Sequence, residues 1–175
     1  MLKSLFKPRP AQSHADRLYA AAVAQARTPA FYLDLGVEDR IDARFDLYTL
    51  HILLLVMRLR DEPGEDGAAV AQDLFDVYVS ALDHALRELG VGDISVAKKM
   101  RKLAESLYGR MNAWEAPLRD GDAEALGAAL ARNVYGGEPD ARSAHLAAYA
   151  MRARVHLAAQ SFSDVMRVPV WPEVA

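Results

Sequence analysis

The sequence predicts an all-α fold: a single-domain bundle of about six helices with short loops and an extended C-terminal tail. Three observations lead there. The 175-residue chain carries 32 alanines against 10 glycines and 8 prolines, and alanine has the highest intrinsic helix propensity. Apolar residues recur at steps of three and four over long stretches. No alternation of strand period runs for a useful length. At 52% hydrophobic and 26% charged the composition is globular, and the length suits one domain with a substantial core. The expected divisions are a flexible basic N-terminus over 1–12, a helical domain over 13–165 and the tail over 166–175.

Each element has its own signal. Ser13 to Arg27 reads as a first helix with Leu18, Ala22, Val23 and Ala26 on one face, stopped by Thr28-Pro29. Phe31 to Val37 reads as a connector that docks on the core, with a turn at Gly36. A long helix starts at Asp39 or Asp42 and runs to about Arg60. Its second half is apolar nearly all round, so it is surrounded by protein or carries a binding surface. Asp61 to Gly67 is an acidic loop. Ala68 to Leu89 is a helix with Val70, Leu74, Val77, Tyr78, Ala81, Leu82, Ala85, Leu86 and Leu89 in its stripe, closed by Gly90 at C′. After a tight Gly90–Asp93 turn, Ser95 is the expected N-cap of a helix to about Glu115, with Pro117 just beyond its end. Asp122 to Asn133 forms a shorter helix closed by Gly136-Gly137. Asp140 caps a final helix to about Phe162.

Composition and motifs exclude much chemistry. There is no cysteine, so disulfides, thiolate metal sites and cysteine nucleophiles are out. None of His14, His51, His84, His145 and His156 sits in an H-E-x-x-H or E-x-x-H pattern. His145 and His156 lie about 16 Å apart along one helix, too far for one metal. His51, inside the most apolar helix, reads as a buried, hydrogen-bonded core residue, with haem ligation as the sharper alternative. Walker A, G-x-S-x-G and G-x-G-x-x-G patterns are absent, and Gly90-Val91-Gly92-Asp93 joins helix to helix rather than strand to helix. The pairs Asp42/Asp46 and Asp73/Asp76 read as surface carboxylates. The expectation is a protein that is not an enzyme, with no cofactor and no metal.

The net charge of −3 argues against a DNA-binding domain and hides an uneven distribution. Residues 1–30 hold five bases and one acid, whereas 31–66 hold four bases and nine acids. The densest basic block is Lys98, Lys99, Arg101 and Lys102, on the polar face of the helix after Ser95. It reads as a solvated face, or as a patch for an acidic partner, ribosomal RNA or lipid headgroups. Met1 to Pro10 reads as a frayed terminus, or as a short basic amphipathic turn touching a membrane. No apolar run is long enough to span a bilayer.

Against this background, ordered fragments carry a family resemblance. They are Phe31-Tyr32 with Leu35-Gly36-Val37, Asp42 to Asp46, Leu50-His51, Leu86 to Asp93, Val96 to Lys99, Leu103-Ala104-Glu105 with Tyr108-Gly109-Arg110, and Ala129 to Tyr135. Over roughly residues 30 to 136 the chain resembles the ubiquinol–cytochrome c chaperone family. It departs from the family pattern at Ala43, usually Gly, and at Asp46, usually Glu. The resemblance implies a helical chaperone domain acting as an assembly factor for the cytochrome bc complex, respiratory complex III. It implies cytochrome b as client, with the ribosome or a small helper protein as further partners. It points to a bacterial member in the cytoplasm or peripheral on the inner membrane, the matrix side being the counterpart in a eukaryotic source. The client-binding residues it suggests are Phe31, Tyr32, Arg44, Phe45, Tyr108 and Arg110. Two alternatives stand beside it: a small helical haem-handling protein using His51 or Tyr108, and an interaction module unrelated to respiration.

Overall fold

A computed structural model describes residues 13–88 and 93–174. The expected basic N-terminus, Leu89 and the Gly90–Gly92 turn lie outside them. Among the described residues the fold is all-helical, without a strand, as the sequence predicts.

Helix α1 spans His14–Ala26. Ser13 and Asp16 close a reciprocal capping box at its start, each side chain accepting from the other's backbone N–H at 3.1 Å. Its buried face is Ala15, Leu18, Ala22 and Ala26, small enough to bring α1 close to its neighbours. Pro29 then opens a five-residue helix α2, Pro29–Leu33. The connector therefore docks as expected, with Phe31 wholly buried and Gly36 turning the chain at φ +63°.

Helix α3, Ile41–Arg60, is the axis of the bundle. Every residue from Thr49 to Leu59 is buried, because α1, α4, α5 and α7 all pack against it. Its apolar second half is core rather than an exposed surface. One charge sits within that run. Arg58 donates to the carbonyls of Leu157 at 3.1 Å and Gln160 at 2.9 Å, and pairs with Glu62 at 2.9 Å. It thereby adds a side-chain donor to carbonyls at and just past the end of α7.

Helix α4, Asp66–Glu88, begins hard against the end of α3. A Cβ on buried Gly67 would lie 2.2 Å from the Leu59 carbonyl oxygen, so only glycine fits. Helix α5 spans Asp93–Asp120, which corrects two expectations. Ser95 lies inside the helix, not at its cap. Pro117 lies in its last turn, not beyond it. The helix closes at Gly121, φ +72°, where Asp122 N–H reaches back to the Pro117 carbonyl at 2.9 Å, a Schellman-type ending.

Helix α6, Ala123–Leu130, starts from the Asp122 cap and widens into a π-turn over Ala131–Tyr135 that stops at Gly136. Helix α7, Ala141–Ala158, starts from the expected Asp140 cap in a capping box with Ser143. It ends short of Phe162, because Ser161 caps a separate short helix α8, Phe162–Arg167. The extended tail follows from Val168. Gln160 holds it like a neighbouring strand would, accepting from Val170 N–H at 2.9 Å and donating to its carbonyl at 2.8 Å. Arg152 reaches the carbonyls of Glu173 and Val174.

Candidate client-binding groove

Helices α4 and α5 pack against each other. Helix α4 packs on α1 and α3, and α5 packs on α3 and α6. Between them they leave a groove of about 460 Å³, lined by Phe75, Val79 and Leu82 on one wall and Met100, Leu103, Leu107 and Tyr108 on the other. The Phe75 and Tyr108 rings meet across it, centroids 5.7 Å apart. Past this pair a smaller opening of about 190 Å³ continues over Leu53 and Val56 of α3. Gln72, Asp76 and Ser80 supply polar groups on the α4 side.

The origin of the groove is in the α4 pattern. Ala71, Leu74 and Tyr78 are buried against the core. Phe75, Val79 and Leu82, one step round the helix, are only half-buried. Helix α4 carries more apolar circumference than its neighbours cover. Such a surface, with polar groups at its edge, is the form that seats an apolar helix face.

The residues suggested from sequence fall in three places. Tyr108 lines the groove and is 55% exposed. Phe31 is a core residue with no surface to offer a client, its ring edge-on to His51 and Tyr149; the apolar connector buries it. Tyr32, Arg44, Phe45 and Arg110 form a stitched face of arginines over rings. Arg44 lies 5.9 Å from the Tyr32 centroid and pairs with Asp39 at 2.6 Å. Arg110 lies 5.2 Å from the Phe45 centroid and pairs with the buried carboxylate of Asp46. Burial pushes the Asp46 carboxyl up to about 6, against the pull of Arg110. Asp46 is therefore not the surface carboxylate its spacing from Asp42 suggests. The groove wall of Phe75 and Val79 was not singled out from sequence, although the width of the α4 stripe carries the signal.

The basic block is on the surface. Lys98, Lys99, Arg101 and Lys102 are all exposed on α5, and Arg101 stands 3.9 Å from Glu105. Among the described residues the three lysines form no ion pair.

His51 is wholly buried, and its neighbours use both ring nitrogens. Nδ1–H donates to the Leu47 carbonyl at 2.8 Å, and Nε2 accepts from the Tyr149 hydroxyl at 2.9 Å. That hydroxyl in turn accepts from Gln25 at 3.1 Å. Desolvation lowers the imidazole to about 4, so it is neutral at pH 7. No nitrogen is left for haem iron. Among the described residues no cluster of His, Asp or Glu could hold a metal ion. No helix among them is long and apolar enough to cross a membrane.

The comparisons agree with this architecture. The model of the ubiquinol–cytochrome c chaperone family matches residues 33–170. The crystal structure of the Cbp3 homolog from Brucella abortus superposes with a TM-score of 0.81 at 35% identity, covering 92% of this chain and 90% of that one. A comparison with curated proteins finds no match. The family match spans most of the helical domain, from the end of α2 to the tail, and on that basis the chain belongs to the ubiquinol–cytochrome c chaperone family.

Proposed function

We propose that this chain is a non-catalytic assembly chaperone that binds cytochrome b while ubiquinol–cytochrome c reductase is built. Membership of the family supports the assembly role. The observation that carries the client reading is the α4/α5 groove, an apolar cleft with an aromatic pair across it. Holding an apolar segment requires no nucleophile or acid–base pair. It requires apolar area that water leaves readily, at about 25 cal/mol per Å² covered. Half-buried Val79, Leu82 and Leu103 provide such area. The exposed lysines on the outer face of α5 add a contact for an acidic partner surface beside the groove.

The test is a complementation experiment in a strain lacking this chaperone. Leu82→Asp and Leu103→Asp alter half-buried groove positions, and circular dichroism reports whether each variant folds. Folded variants should fail to co-purify with cytochrome b and leave complex III depleted. Normal complex III in the deletion strain, or full rescue by the folded double variant, would defeat the proposal.

A further inference from the structure

We infer that, while no client is bound, the α4/α5 groove is covered by the same groove of a second copy of this chain, in a two-fold dimer. The inference rests on the groove that carries the client reading and adds what occupies it in the free protein. The groove is apolar and accessible at its edges. Phe75, Val79 and Met100 are half-buried, and Tyr108 is 55% exposed. Aromatic and methionine side chains are enriched where two proteins meet.

The charges beside the groove select the partner. On α4, Asp73 and Asp76 are exposed within one turn of Phe75, and among the described residues neither forms an ion pair. Asp76 lines the groove and accepts from Gln72 at 2.8 Å. On α5, Lys98, Lys99 and Lys102 are exposed and likewise form no ion pair among the described residues. They lie six to ten residues before Tyr108, about 9–15 Å along the helix axis. The Phe75 and Tyr108 rings are in contact, so the acids sit at the ring end of the groove and the lysines toward the other end. Neighbouring charges are matched locally: Asp83 with Arg87, Arg101 with Glu105, and Glu115 with Arg119. Arg60, in the smaller opening past the rings, is one cation against the two acids. A uniformly acidic or basic partner would meet its own sign at one end. A second copy turned about a two-fold axis sets the acidic end of each groove against the basic end of the other, at a spacing that matches by symmetry. The two apolar walls then close on each other between these ends.

The experiment is sedimentation equilibrium of the full chain over a wide range of concentration, with circular dichroism to confirm that each variant folds. The parent should dimerise, and the dimer should weaken as salt is added. Lys99→Glu with Lys102→Glu makes both ends of the groove acidic. Asp73→Lys with Asp76→Lys makes both ends basic. Each pair of changes should weaken self-association at least about tenfold, and an equal mixture of the two variants should dimerise again. Tyr108→Ser should weaken the dimer about tenfold without changing its salt dependence. A parent that stays monomeric at every concentration overturns the inference. So does a dimer that keeps its affinity through both charge reversals, or a mixture that fails to pair. The client reading fails separately. A monomeric parent whose Leu82→Asp and Leu103→Asp variants lose cytochrome b overturns the dimer alone. A dimeric parent whose folded groove variants restore complex III defeats the client reading and supports the dimer as the use of the groove.

Discussion

Replacing Arg110 with methionine tests the buried ion pair on which the arginine-over-ring face is built. Asp46 is 1% exposed, and Arg110 is its counter-charge. Arg110→Met keeps most of the aliphatic stem over Phe45 but strands a carboxylate inside the bundle. Removing one partner of a buried pair costs about 3–5 kcal/mol. For a chain of this size that lowers Tm by roughly 6–20 °C. The pH dependence identifies the cause. In the parent, Asp46 already titrates near 6 in the fold against 3.8 as its reference, and losing Arg110 raises it further. Between the unfolded and folded values the native state binds the extra proton, so the contribution of this group falls as pH rises through that window. The deficit of the variant should therefore shrink on going from pH 7.5 to pH 5. Urea denaturation at the two pH values measures it, and Asp46→Asn in the Arg110→Met background should restore most of the loss. A variant within about 0.5 kcal/mol of the parent, with a deficit independent of pH, would refute the reasoning.

Three further outcomes are expected. Tyr149→Phe removes the hydroxyl between Gln25 and His51 and should cost about 1–3 kcal/mol by denaturant titration. Because folding lowers His51 from 6.5 to about 4, its contribution is intact above pH 6.5 and is lost as pH falls toward 4. His51→Gln should therefore flatten the acid limb of the stability profile, read by thermal denaturation between those values. Gly67→Ala drives a methyl group into the Leu59 carbonyl and should cost more than about 1–3 kcal/mol, whereas alanine at exposed Gly109, which meets nothing within 4 Å, should leave Tm level or raised. Gln160→Ala removes both bonds to Val170 and should speed hydrogen exchange at the Val170 amide, with little effect on the amides of α3.

Much of the architecture is legible in the chain because its signals are local. Asp140 and the Thr28-Pro29 break are read from neighbouring residues alone, and the all-apolar half of α3 announces its own enclosure. The errors have tertiary causes. Pro117 reads as a terminator, yet the helix closes only where Gly121 adopts a positive φ. Asp46 reads as a solvated partner of Asp42, because its actual partner is 64 residues away on α5. The site was half-legible for the same reason. Tyr108 belongs to a recognisable fragment, but whether Phe75 and Val79 face the core or a groove depends on how far α5 stands from α4. The pairing of Gln160 with the tail has no sequence pattern at all, since any amide side chain at the right point in space can do it.

The edge-on contact of Trp171 with His51, 5.0 Å between ring centroids, also has a consequence for the order of events during synthesis. The histidine, its Tyr149 partner and the ring that covers it emerge from the ribosome at widely separated times. Until residues 160–174 are made, the centre of the bundle lacks one wall, whatever the helices before it have done. Maturation of the domain is thus coupled to completion of its far end, and chains stalled or cleaved before Trp171 should be open at the middle and ready substrates for proteolysis.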